Sequence, residues 1–104
     1  MQLVGEVRVD TGALVRDSVI RGPAAIAAGC VIEGSTIEPF TSIYLNTSIT
    51  DSDIGNSIVM DDCRIEGVRQ VRDSLIGRNV HLTRAQAGSV VSLMVGDNCA
   101  IELP

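Results

Sequence analysis

The stretch IEPFTSIYLNTSITDSDI, residues 37–54, carries aliphatic side chains at Ile37, Ile43, Ile49 and Ile54. The steps between them are six, six and five residues. A helix needs apolar recurrence every three or four residues, and a half-buried strand alternates by two. A six-residue step meets neither condition. It suits a short strand followed by a corner, with one aliphatic turned inward on each flat side. Three such sides make one turn of a parallel β-helix.

The spacing continues in both directions. Upstream, Leu3, Val9, Val15, Ile20, Ile26 and Ile32 lead into Ile37, and downstream Ile54, Val59, Ile65, Val71, Ile76 and Leu82 follow. Leu3, Ile20, Ile37, Ile54 and Val71 are each seventeen apart. The reading is an all-β chain of about five seventeen-residue turns forming one domain over 1–104. Regular coils are expected over 1–82. From Thr83 the spacing breaks, so 83–104 reads as a loop and a closing hexapeptide that caps the stack.

Composition agrees with a narrow core. The chain is 45% hydrophobic but only 2% aromatic, with Phe40 and Tyr44 its only large rings. Stacked Ile, Val and Leu fill a thin prism without aromatics. Val7, Ala13, Ala24 and Cys30 suit a smaller inward slot, and Gly5 and Gly12 suit corners that need a positive φ. Cys30 and Cys63 share the small slot nearly two turns apart. At a strand spacing of about 4.8 Å their sulfurs stand roughly 10 Å apart, too far to bridge.

A serine precedes the next aliphatic by two places at Ser18, Ser35 and Ser52, and again at Ser57 and Ser74 from a new origin. The short side has therefore moved to another edge of the prism. The repetition reads as a corner ladder whose hydroxyls satisfy backbone groups. A nucleophile would not recur five times without a base.

Charge and hydropathy exclude several functions. Net charge is −5 and the arginines are scattered, whereas nucleic-acid binding needs a basic stripe with stacking rings. No apolar run reaches the length of a membrane span and no leader is present, so the cytoplasm is the expected location. Asp51, Asp53, Asp61 and Asp62 sit where Asp is an ordinary corner residue, and no metal is expected.

The position before each inward aliphatic faces out. Most hold polar residues, but Leu14 and Val31, and likewise Ile58 and Leu75, form two-rung apolar stripes that suggest docking surfaces. Arg64, the next outward position after Ile58, is expected to rim the second stripe. A second copy is the expected partner. His81 precedes the inward Leu82 and reads as a surface residue.

GPAAIAAGCVIEGSTIEPFTSI (22–43), NSIVMDDCRIEGV (56–68), DSLIGRNV (73–80) and VGDNCAIEL (95–103) resemble the carboxy-terminal β-helix of long-form glucose-1-phosphate thymidylyltransferases, a group of sugar-1-phosphate nucleotidylyltransferases. The resemblance implies a left-handed coil. It also implies a parent reaction that joins a sugar 1-phosphate to dTTP with Mg²⁺ and releases pyrophosphate. That family's catalytic domain opens with a glycine-rich loop of the G-x-G-T-R-L type, which is absent here, so no catalytic residue or cofactor site is carried over. Tyr44 and Glu38 replace glycines expected at that family's corners. The chain is accordingly expected to be an assembly or regulatory module, self-associating or docked to a nucleotidyltransferase domain. The alternatives are a hexapeptide acyltransferase with His81 as general base, and a free-standing scaffold.

Overall fold

The computed structural model describes residues 2–84 and 88–104. The described residues form short parallel strands and no helix. Each turn of the coil contributes one strand to each of three faces. Rung 1 holds β1 (Gln2–Val4), β2 (Val7–Val9) and β3 (Leu14–Arg16), and rung 2 holds β4 (Val19–Arg21), β5 (Ala24–Ile26) and β6 (Val31–Glu33). Rung 3 holds β7 (Thr36–Ile37), β8 (Thr41–Ile43) and β9 (Ser48–Thr50). Rung 4 holds β10 (Asp53–Gly55), β11 (Ile58–Val59) and β12 (Arg64–Glu66), and rung 5 holds β13 (Val71–Arg72), β14 (Leu75–Ile76) and β15 (His81–Arg84). A partial rung 6 adds β16 (Met94–Val95) and β17 (Ala100–Leu103).

Face A stacks β1-β4-β7-β10-β13, face B β2-β5-β8-β11-β14-β16, and face C β3-β6-β9-β12-β15-β17. Hydrogen bonds join each rung to the one before it and the one after it. Down face C, the N–H groups of Leu14, Val31, Ser48, Arg64 and His81 donate to Cys30, Thr47, Cys63, Val80 and Cys99 carbonyls at 2.8–3.0 Å. The inward aliphatics stack as their spacing predicts. Ile20, Ile37, Ile54 and Val71 form one column and are fully buried. Leu3 heads that column opposite Ile20 but remains 47% exposed, since β1 is the outermost strand of face A among the described residues.

The expected all-β coil is present, with about six turns where about five were expected. Thr83 and Arg84 lie in β15 rather than in a loop, and β16 and β17 pair parallel with β14 and β15. Val91 adds a single bridge to Val71. The spacing hides this continuation because Ile76 and Val95 are nineteen apart in register, two more than a regular turn. Residues 85–87 of the expected loop lie outside the described residues.

The move of the short side also has a structural form. Because Val59 follows Ile54 by five, faces B and C pair residues sixteen apart between rungs 3 and 4, as in Ile43–Val59 and Ile49–Ile65. Face A keeps seventeen, Ile54 opposite Val71. The missing residue is restored just before Val71, where Val68 N–H donates to Ser52 Oγ and Gln70 adopts a left-handed φ of 66°. This is a one-residue bulge.

Corners use residues that tolerate the left-handed region. Most non-glycine residues there are Asn or Asp, including Asp17, Asn46, Asp51, Asn56, Asp62, Asp73, Asn79 and Asn98. Tyr44 stands outside this set; the left-handed residue of its corner is Asn46, two places on. Gly34, at φ 60°, takes a conformation that favours glycine, and a Cβ there would also displace the Asp51 carboxylate, whose Oδ1 lies 2.5 Å from its place. Among the described residues no helix is long and apolar enough to cross a membrane.

Candidate interaction face

The three outer faces differ in charge. Face A presents the column Val4, Arg21, Glu38, Gly55, Arg72, with Arg21 and Glu38 paired at 2.6 Å. Beside it Arg69 pairs with Asp53 at 2.8 Å. Face C presents Arg16, Glu33, Thr50, Glu66, Thr83 and Glu102 along one column and Leu14, Val31, Ser48, Arg64, His81 and Ala100 along the other. Face B presents Arg8, Ala25, Ser42, Ile58, Leu75 and Met94. From Ala25 to Met94 that column has no charge.

The expected apolar stripes are present as registers. Ile58 and Leu75 are adjacent on face B at 43% and 41% exposure. Leu14 and Val31 are adjacent on face C, Leu14 exposed and Val31 half-buried. Arg64 does not rim the Ile58–Leu75 stripe. A corner separates them, and Arg64 lies on face C with its Nε 3.7 Å from Glu66 Oε1. The reason is the five-residue step, which ends face B at Val59 and gives Arg64 to the next side.

Two residues that spacing alone passed over extend face B. Met94, 86% exposed, continues the stripe below Leu75. It obeys the same rule, standing just before the inward Val95, but the two-residue insertion hid its register. Phe40, 69% exposed, stands at the edge of rung 3 with φ 63°, where other corners use Gly, Asn or Asp. A bulky side chain in that region is costly. Between Phe40 and Ile58 lies a shallow trough floored by Ala25 and Ser42, with Tyr44 bounding its other side.

The residues weighed for chemistry stand apart from this face. His81 is on face C, Nε2 3.8 Å from Glu66 Oε1, beside Arg64. Cys30 and Cys63 are buried free thiols, donating to the carbonyls of Tyr44 at 2.8 Å and Gly77 at 2.9 Å. Burial pushes both thiols above their ordinary pKa, so they are poor nucleophiles. Of the aspartates, Asp53 is paired with Arg69, Asp61 accepts from Leu45 N–H, and Asp51 and Asp62 are corner residues. Among the described residues no three His, Cys, Asp or Glu side chains gather as a metal site would require.

The serines form the expected ladder. Ser35 and Ser52 N–H donate to the hydroxyls of Ser18 and Ser35 at 3.1 Å, and each of these three hydroxyls donates to the carbonyl two residues before it. Ser57 and Ser74 repeat the arrangement at the next edge. Every hydroxyl is committed to backbone.

No family model matches the chain. Over 102 residues, 97% of its length, it is 42% identical to a glucose-1-phosphate thymidylyltransferase of Streptomyces antibioticus and 38% identical to one of Streptomyces griseus. The chain spans 29% of the length of each relative.

Proposed function

We propose that this chain is the carboxy-terminal β-helical module of a glucose-1-phosphate thymidylyltransferase, serving that enzyme in assembly or regulation rather than in the chemical step. The observation that carries this reading is similarity to the two Streptomyces enzymes along nearly the whole chain, over less than a third of their length. The parent reaction joins glucose 1-phosphate to dTTP and releases pyrophosphate. The described residues do not fit the Mg²⁺ of that reaction, since no carboxylate cluster gathers here. The outer surface offers instead a rigid apolar face on which every strand is hydrogen-bonded to its neighbours. A rigid face loses little conformational freedom on docking. A left-handed coil, which the resemblance implies, and a cytoplasmic place belong to the same reading.

The test is a chimera in which this chain replaces the matching portion of the S. antibioticus enzyme. It is expected to keep that enzyme's oligomeric state and pyrophosphate release, while deletion of the portion alters assembly. The purified chain alone is expected to release no pyrophosphate from dTTP and glucose 1-phosphate. A chimera that behaves like the deletion, or turnover by the chain alone, overturns the proposal.

A further inference from the structure

Face B is graded in size along the coil. Its column begins with the small residues Ala25 and Ser42 and ends with the large residues Ile58, Leu75 and Met94. The small half is the floor of the trough that Phe40 and Tyr44 flank, and the large half projects as a ridge. Trough and ridge therefore lie end to end on one surface, three rungs each.

We propose that two copies of this chain pack face B against face B with their axes antiparallel, about a two-fold axis lying in the interface between rungs 3 and 4. That operation sets Ser42 against the partner copy's ridge at the rung of Ile58, and Ala25 against it at the rung of Leu75. Arg8 then stands against the rung of Met94. Large meets small at the two central levels, and at the outer level Met94 lies against Arg8. A parallel pairing sets Leu75 on Leu75 and Ala25 on Ala25, so half of the contact is overfilled and half is void. An isologous contact of the antiparallel kind closes on itself and stops at two copies.

Three further observations select a second copy as the occupant. With a net charge of −5, two copies repel one another, and the face B column is uncharged from Ala25 to Met94, with Glu6, Arg8 and Asp10 standing at the first-rung end of the trough. Faces A and C carry rows of arginines and carboxylates whose burial is unfavourable without exact pairing. The coil measures 31 × 24 × 20 Å, so one face offers at most about 600 Å² and a pair at most about 1,200 Å², which places such a dimer at the lower limit of specific interfaces. Finally, Phe40 combines a left-handed backbone with an exposed ring. A ring that walls the trough and is covered by the partner's ridge gives that conformation a purpose. Arg8, at the far end, already has Asp10 at 3.1 Å.

This geometry deepens the assembly role proposed above and rests on it. The experiment is sedimentation equilibrium of the whole chain, with circular dichroism confirming the fold of each variant. The wild type is expected to be a dimer. Ala25→Arg and Leu75→Asp are each expected to weaken it about tenfold or more, as substitutions at buried interface centres do. The double variant A25R/L75D is expected to recover, because only the antiparallel arrangement brings the new opposite charges together across the interface. Should Leu75→Asp unfold the coil, Met94 supplies the same contrast from a fully projecting position: Met94→Asp meets Arg8 and keeps the dimer, whereas Met94→Arg weakens it. A dimer that single variants weaken and the double variant does not restore overturns the antiparallel geometry alone. So does a dimer insensitive to these positions, or a trimer. A wild type that stays monomeric overturns the assembly role as well.

Discussion

At the scale of the residue, burial depends on having a rung on both sides. Ile37 and Leu3 occupy the same column, yet Ile37 is fully covered and Leu3 is not. Ile37→Ala is therefore expected to destabilise by about 2–5 kcal/mol, through lost transfer energy and a cavity. Leu3→Ala is expected to cost well under half of that, and urea denaturation of both variants checks the contrast. The thiols give a second expectation. Burial raises the pKa of Cys30 and Cys63 above the ordinary value of 9.0, so the folded state holds these protons more tightly than the unfolded chain. Their contribution is complete below that value and is lost as pH rises through the folded-state values. The chain has no lysine, which leaves few other groups to titrate on the alkaline side. The urea midpoint should fall as pH is raised past 9.0. In a Cys30→Val, Cys63→Val variant the fall should be smaller. Val80 fills the same inward slot one rung below Cys63, which makes valine a compatible replacement.

At the scale of the element, a side of the prism is a strand plus a corner, and its polar bookkeeping lies in the serine ladder. Ser52 accepts from Val68 N–H and donates to Thr50 carbonyl, at 3.1 and 2.8 Å, with its side chain fully buried. Ser52→Ala leaves that N–H without its acceptor and is expected to destabilise by about 1–3 kcal/mol. A loss near zero in thermal melts would mean that the bulge relaxes to satisfy it. Inward columns were legible in the sequence because a buried aliphatic at every sixth or fifth place has no other simple explanation. The ladder was legible because serine recurs at one fixed offset. Corners were less so. Spacing shows that a corner falls between Ile43 and Ile49, but not that Asn46 rather than Tyr44 takes the left-handed conformation. The extra residue before Val71 shows in the spacing as the move of the short side, but spacing does not show that Gln70 takes the left-handed conformation there. Arg64 was assigned to the wrong face for a related reason: outward positions alternate cleanly along a strand, but a corner between them changes the face. Phe40 and Met94, which complete the candidate site, needed the observed registers to be seen together.

At the scale of the whole molecule, the coil is a one-dimensional stack in which the strands of each rung pair only with those of the rungs next to it. Stability is then close to a sum of rung and neighbour contributions. Amide exchange is expected to be slowest in rungs 3 and 4 and fastest in rung 1, where Leu3 and Val4 are exposed; uniform exchange along the coil would show a single cooperative unit instead. The exposure of Leu3 and Val4 in this chain bears on time as well as on energy. In a stack that frays from its ends, the rate at which the chain is lost to a protease is governed by how often the outermost rung lifts, not by the average strength of the core. A segment laid over Leu3 would therefore lengthen the protein's life out of proportion to the few contacts it adds, while a better-packed middle would leave that life almost unchanged.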